Sequence, residues 1–196
     1  MRFNATPNRL PTNQEERQMS KKFISIIAIV LLLTLVFTGC GKAAATTTGS
    51  KLGFGAVTSI AKSTNATADK DGNVQTYSFL AAVILDANGK IVNVWIDSIQ
   101  SNVAVDKTGA VKTALTTLMQ TKRELGDKYG LKAASKLGKE WYQQADELEK
   151  FLIGKNKAEV DAIKLTEGKA TDLAATVSIT VTEYLDAVKK AMANAQ

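Results

Sequence analysis

The sequence predicts an α+β domain over residues 52–196, in which helices pack on an antiparallel sheet. Two runs that alternate apolar and polar residues flank Asn88-Gly89, a pair typical of β-hairpin turns. Two later stretches, 137–153 and 181–192, instead repeat apolar residues at helical spacing. These patterns predict strands that pair with one another and helices that cover them.

The strands are predicted to form an antiparallel meander. A strand-like run at 54–63 is followed by a polar loop, a second strand at 74–85, a tight turn and a third strand at 91–99. The turn is expected to be type I′, since Asn-Gly accommodates the positive φ angles of that turn. Because both faces of residues 91–99 are partly apolar, the third strand is predicted to be the central one.

Two main helices follow from the apolar spacing. The first is predicted at 137–153, ended by Gly154, and a short helix at 157–163 is expected to begin after Asn156 as its cap. The core face of the helix at 137–153 comprises Leu137, Trp141, Ala145, Leu148 and Leu152. The last helix is predicted at 182–194, with Thr180 and Glu183 as a capping box. Its apolar face comprises Val181, Tyr184, Leu185, Val188, Ala191 and Met192.

The stretch 176–181 has the pattern of an extended segment with one hydroxyl-bearing face. Thr176, Ser178 and Thr180 alternate there with apolar residues. The segment leads into the last helix, whose first backbone N–H groups have no partner within the helix and carry a partial positive charge. Such a junction is suited to an anion such as a phosphate.

The same stretch resembles the flavin-attachment motif of FMN-binding domains. These domains occur in bacterial extracellular electron-transfer lipoproteins and in flavin-carrying subunits of ion-pumping quinone and ferredoxin reductases. Their pattern is Asp, two residues, Ser or Thr, Gly-Ala-Thr, any residue, Thr or Ser, and Ser, followed by a helix with Ala-Val. Asp172 matches the acidic position, Ser178 the threonine that carries FMN, and Thr180 the hydroxyl two residues later. The chain departs from the pattern at residues 175–177, Ala-Thr-Val, where the family has Ser or Thr, Gly and Ala.

Two further segments are similar to these domains: the hairpin at 84–97 and the Gly-Lys-Glu-Trp-Tyr sequence at 138–142. The resemblance implies an FMN-binding-domain-like fold and FMN at the junction, bound covalently or non-covalently. The alternative is that the chain keeps this fold but binds no flavin. Covalent FMN would be carried by Ser178, flanked by Thr176 and Thr180, with Asp172 assisting the attaching transferase. One of Tyr129, Trp141 and Tyr142 would stack on the flavin ring, unless these aromatic residues only pack.

The N-terminal region predicts export and lipid anchoring. Residues 19–39 have the pattern of a lipoprotein signal peptide: a charged start, an apolar run at 23–37 that is short for a membrane span of about 20 residues, and small residues before Cys40. Cys40 is the expected lipidation site, and residues 40–51 form a lipidated cysteine and flexible tether. Residues 1–18 are expected to be a disordered extension or to precede the true start at Met19. The domain is therefore expected at the extracytoplasmic face of the cell membrane.

The amino-acid composition argues against several classes of functional site. The chain has no histidine and one cysteine, which argues against zinc sites, Ser-His-Asp triads and Cys-His pairs. No acidic loop indicates a metal. The positive charges are interspersed with negative ones, so no nucleic-acid interface is expected.

Two functions follow from these observations. In the first, the protein is a flavin-based electron carrier at the membrane. In the second, it is a flavin-free surface binding or structural module. A membrane reductase or a flavin transferase would be its partner. Either function is that of a carrier or binding module rather than of an independent enzyme.

Overall fold

The computed structural model describes residues 49–196. The predicted extension at 1–18, the signal peptide at 19–39, Cys40 and the tether up to residue 48 lie outside the described residues. Between residues 49 and 196, no helix is both long and apolar enough to cross a membrane.

The sheet is the antiparallel meander that the sequence predicts. Strand β1 (Lys51–Ser59) pairs with β2 (Gly72–Leu85), and β2 pairs with β3 (Ile91–Val105), in the order β1-β2-β3. The predicted pairing across Asn88-Gly89 is confirmed, and the observed strands β2 and β3 extend beyond the predicted bounds.

The hairpin turn is not the predicted type I′ turn. Gly89 has a φ of +73°, whereas the φ of Asn88 is not positive, although a type I′ turn requires a positive φ there. The Asp86 carboxylate accepts hydrogen bonds from the backbone N–H groups of Asn88 and Lys90, both at 2.8 Å. This side-chain bonding holds the turn with a single left-handed residue.

The third strand was predicted to be central and is instead an edge of the sheet, with β2 in the middle. Its outer edge is bonded by the backbone of residues 154 and 155 at Ile91 and by side chains at Ile96. Ile96 N donates to Glu149 Oε1 at 2.7 Å, and Arg123 Nε donates to Ile96 O at 2.8 Å. Arg123 also bonds Asp146 at 2.8 Å and Glu149 at 2.5 Å. This ion-pair network takes up backbone groups that would otherwise be free to pair with another strand.

Four helices follow the sheet. The predicted helix at 137–153 begins four residues later, because Gly138 has φ +60° and Glu140 is extended. The four core residues predicted within its observed span are buried, whereas Leu137 lies outside it and is half-buried. The elements after β3 are α1 (Lys122–Leu125), a 3-10 helix (Gly126–Tyr129), α2 (Trp141–Leu152), α3 (Lys157–Asp161), the short strands β4 (Leu165–Thr166) and β5 (Lys169–Ala170), a 3-10 helix (Thr171–Leu173) and α4 (Thr182–Ala193).

Helix ends agree with the sequence in part. Asn156 caps α3 as predicted, accepting from Glu159 N at 3.0 Å, although α3 ends two residues early, at Asp161. Gly154, with φ +82°, follows the end of α2 as predicted. Helix α4 matches its predicted span to within one residue.

One core lies between the inner face of the sheet and helices α2 and α4. Every predicted apolar residue of α4 is buried, as is Val181 before it. The described core residues come from the sheet, from α2 and α4 and from the segments between them. The architecture is therefore α+β, with an antiparallel sheet covered by helices.

Candidate functional site

A cleft of about 420 Å³ opens beside the inner face of the sheet. Its volume lies within the range of small-molecule sites. Of residues 49–196, four lysines line it, and no aspartate or glutamate does. The lysines are Lys62, Lys122, Lys136 and Lys169; the aromatic lining residues are Tyr77, Tyr129, Trp141 and Tyr184. The cleft is therefore both positively charged and aromatic.

Lys122 is the buried cation of this cleft, with 4% of its surface exposed. It is the first residue of α1, and its Nζ donates a hydrogen bond to Tyr77 Oη. Nζ also lies 4.7 Å, 4.6 Å and 5.3 Å from the ring centroids of Tyr77, Tyr129 and Trp141. None of the ion pairs among residues 49–196 includes Lys122. Aromatic faces stabilise this ammonium in part, without a carboxylate to neutralise it.

This environment changes the acidity of the groups around the cleft. The pKa of Lys122 is lowered to about 8, mainly by burial and also by the charge of Lys62, while Asp97 opposes the change. Burial also raises the pKa of Tyr129 to about 12 and raises the pKa of Tyr184. The tyrosines are therefore neutral near neutral pH. The Lys122 ammonium forms no ion pair among the described residues, and the Asp97 carboxylate offsets its charge only in part.

The buried ammonium predicts a pH-dependent stability. Below pH 8 Lys122 is protonated in the folded and unfolded states, and the cost of burying its charge is fully present. Between pH 8 and 10.5 the folded state loses this proton first, so that cost declines as pH rises. The unfolding free energy of Lys122→Met should exceed that of wild type below pH 8, and the gap should narrow toward pH 10. Denaturant titrations between pH 7 and 10 measure this difference in unfolding free energy. A difference that does not change with pH would contradict a lowered pKa of Lys122 in the folded state.

Ser178 and Thr180, two of the four residues predicted to bind a cofactor, line the cleft. Asp172 and Thr176 are not among its lining residues. Asp172 is exposed in the second 3-10 helix, and the Thr176 hydroxyl donates to Leu173 O at 3.4 Å. The fold thus brings two of the four predicted residues together at the cleft.

Gln144 of α2 fixes the Ser178 segment. Its Oε1 accepts from Ser178 N at 2.7 Å, Ser178 Oγ at 3.1 Å and Ile179 N at 3.3 Å. Its Nε2 lies 3.2 Å from both Ser135 Oγ and Lys139 O. Gln144 is fully buried, so one amide side chain links the lining residues Ser178 and Ile179 to Ser135 on another part of the cleft.

Residues 176–181, predicted as a strand-like or extended segment, form no strand. Thr176 N and Val177 N bond to Leu173 O, while later N–H groups bond to the Gln144 side chain and, from Val181, to Gly168 O at 2.7 Å. The predicted Thr180–Glu183 capping box is also wrong, since Val181 precedes α4 and makes no side-chain cap bond. Thr180 instead lies at the junction of the cleft and a second cavity of about 400 Å³.

The three aromatic residues considered for stacking on a flavin ring differ in their position relative to the cleft. Tyr129 and Trp141 line the cleft, whereas Tyr142 does not and donates to Asp127 Oδ1 at 3.1 Å. Sequence reasoning did not find the lysine cluster. Its members come from four separate segments, so no local spacing indicates them.

Comparison with known proteins finds one short similarity. No family model matches the chain, and no solved structure matches it. A stretch of 41 residues is 49% identical to chlorophenol reductase of Desulfitobacterium hafniense. It spans 21% of this chain and 12% of the reductase, so the likeness is confined to a small part of both proteins.

Proposed function

We propose that this protein is a flavin-based electron carrier with an FMN-binding-domain-like fold. In this proposal a lipid on Cys40 anchors it at the extracytoplasmic face of the cell membrane. The observation that carries the proposal is the Lys122 ammonium, buried in an aromatic cleft without a carboxylate partner. A buried charge without a counter-charge is costly, and an anionic ligand would remove that cost.

The lining of the cleft fits FMN on two counts. The lysines and the hydroxyls of Ser178 and Thr180 are donors suited to a phosphate. Tyr129 and Trp141 offer aromatic surface for a planar ring. A ligand that is both anionic and aromatic satisfies both, and FMN is such a ligand.

Each group of the chain has a role in this proposal. Lys122 neutralises the phosphate, Lys62, Lys136 and Lys169 add positive charge at the exposed rim, and the aromatic walls exclude water. Bound FMN supplies the electron-transfer chemistry, while the protein supplies binding and electrostatics. The short similarity to a protein named as a reductase adds support for a redox cofactor.

Attachment and partners follow the resemblance to FMN-binding domains. Covalent FMN would be carried by Ser178, at the wall of the cleft, through a flavin transferase. Asp172 would assist that enzyme from outside the cleft. A membrane reductase would exchange electrons with the anchored domain.

One observation favours a second function, the flavin-free binding module. The Ser178 hydroxyl already donates to Gln144, so a phosphoester there would remove a proton that the buried amide uses. In this alternative the cleft binds a non-flavin anion, and the domain docks on a membrane complex.

Ligand titration of the chain 40–196 tests the proposal. FMN is expected to bind, and riboflavin, which has no phosphate, more weakly. Lys122→Met should weaken FMN binding by about tenfold or more, because a charge-assisted bond to phosphate is lost. Lys128→Met is the matched control, since Lys128 is exposed and is not a lining residue of the cleft.

The outcomes separate the two functions. Absence of FMN binding, or equal FMN affinity in wild type and Lys122→Met, would contradict the carrier. Binding of inorganic phosphate without FMN binding would favour the flavin-free module. Co-expression with a flavin transferase, followed by mass analysis of the Ser178 peptide, tests covalent attachment.

A further inference from the structure

The outer face of the sheet, opposite the helices, carries a group of apolar residues at the end where β1 begins, bordered by Asn93 and by the Thr58–Ser78 pair. Phe54, Ala82 and Trp95 are aligned across the three strands, and Leu52 is paired with Ile84 in the next row. The exposed fractions of Leu52, Phe54 and Trp95 are 65%, 55% and 43%. The name outer apolar face is used below for six residues: Leu52, Phe54, Leu80, Ala82, Ile84 and Trp95.

Within residues 49–196, Leu52, Phe54 and Trp95 of this face are left exposed, whereas α1 covers Asp97 beside Leu80. The alternate residues of the same strands, including Gly53, Ala81 and Ile96, are buried on the helical side. An antiparallel sheet with one solvated face normally carries polar residues there. A contiguous exposed apolar face instead marks an interaction surface.

The position of the face relative to Cys40 indicates its partner. Ten residues, 41–50, separate Cys40 from Lys51, so the connection reaches at most about 40 Å when extended. Leu52 and Phe54 are among the first residues beyond it. Anchoring at Cys40 would therefore hold this face close to the membrane at high effective concentration.

The charges around the face are compatible with lipid headgroups. Lys51 and Lys90 are exposed at the end of the sheet where the connection enters. The carboxylate of Asp97 belongs to this side of the sheet but is buried, and it accepts from Ser98 N and Arg123 N. Lysines beside exposed Phe, Leu and Trp side chains are the combination found in proteins that lie in a bilayer interface.

We propose that the outer apolar face lies in the interface of the lipid bilayer to which Cys40 is anchored. This inference rests on the anchoring part of the proposed function and is independent of flavin binding. Because the cleft is lined by Tyr77 and Gln100 of the opposite face, docking orients the cleft away from the lipid. The bilayer thereby fixes the orientation of the domain and leaves the cleft accessible to a partner.

Fluorescence quenching in vesicles tests the proposal. Cys40 is the only cysteine, so the chain 40–196 can be coupled there to a maleimide lipid in phosphatidylcholine–phosphatidylglycerol vesicles. With spin labels on the acyl chains, emission from Trp95 should fall about twofold, because its ring enters the interface. The emission of Trp141, which is 1% exposed, should be unaffected.

Matched variants assign the signal. Leu52→Ser with Phe54→Ser should abolish most of the quenching, and Trp95→Phe should remove the quenched emission. Leu115→Ser with Leu118→Ser is the control, since both leucines are 90% exposed and lie outside the outer apolar face. Quenching in this control should equal wild type.

The inference would be overturned if wild type showed no quenching, or if the Leu52/Phe54 variant were quenched as strongly as wild type. It would also be overturned if the uncoupled chain formed a dimer that shields Trp95 in the absence of lipid. The last would assign the face to a second copy. FMN titration of the same variants separates this test from the proposed function, because the outer apolar face takes no part in the cleft. Unchanged FMN affinity with lost quenching would support both proposals.

Discussion

A chain carrying both Gly53→Ala and Gly55→Ala is expected to lose roughly 4 kcal/mol or more of unfolding free energy, because each added methyl group overpacks a close contact. A Cβ at Gly53 would lie 1.9 Å from Ala191 O, and one at Gly55 would lie 2.0 Å from Ala187 O. Both obstructing atoms belong to the backbone of α4, so no side-chain rotation relieves the clash. Urea denaturation followed by circular dichroism measures the change.

The reason lies in how closely β1 and α4 approach. Lys190 Nζ donates to Ala56 O at 3.0 Å, and Asn194 Nδ2 donates to Phe54 O at 3.2 Å. Leu52 and Gln196 also exchange two backbone hydrogen bonds, at 3.1 Å and 3.2 Å. Moving α4 outward to fit a methyl group would break these bonds and separate the core residues of the helix from the sheet.

Ala56→Val is the control for this prediction. Ala56 lies on the exposed side of β1, next to Gly55, and valine favours a strand. We expect a change within about 0.5 kcal/mol, the range of ordinary surface substitutions. A double alanine variant as stable as Ala56→Val would show that β1 and α4 are not in this contact.

Gln144→Leu is expected to cost about 3 kcal/mol or more and to open the wall of the cleft. Leucine has a similar size but leaves Ser178 N and Ile179 N without their acceptor, and each unsatisfied buried group costs about 1–3 kcal/mol. Hydrogen exchange at the amides of Ser178 and Ile179 should accelerate, and FMN affinity should fall because Ser178 and Thr180 are no longer held in place.

The neighbouring substitution Gln143→Leu is the control. Gln143 is exposed, and its Oε1 accepts only from Glu140 N, at 2.8 Å. We expect a loss of about 1 kcal/mol, typical of a helix cap, with the exchange rates at 178 and 179 unchanged. Equal effects of the two substitutions would contradict the role given to Gln144.

Local sequence patterns determined the regular elements well. The alternation on either side of Asn88-Gly89 is sufficient to predict the hairpin, because a pleated strand repeats every two residues. Helical spacing likewise predicted α4 to within one residue and the buried face of α2. These features depend on residues close in sequence, which is why the sequence alone specifies them.

The errors arose where distant residues provide the hydrogen bonds. Residues 176–181 have a strand-like pattern, but Gln144 and Gly168 bond their backbone in place of a neighbouring strand. The third strand is apolar on both faces, yet it is an edge, because Arg123 and Glu149 bond its outer backbone. In both cases the partners lie far away in the sequence and leave no local signal.

The candidate site was predicted in part, because Ser178 and Thr180 line the cleft whereas Asp172 and Thr176 do not. By itself, the sequence determined the α+β class, the hairpin, the last helix and the hydroxyl residues before it. Only the tertiary structure decided that Lys62, Lys122, Lys136 and Lys169 surround one cleft, and that Lys122 is buried there with no ion pair among the described residues. The physical reason is that periodicity reports which face of an element is apolar, whereas burial and charge depend on which elements the folded chain brings together.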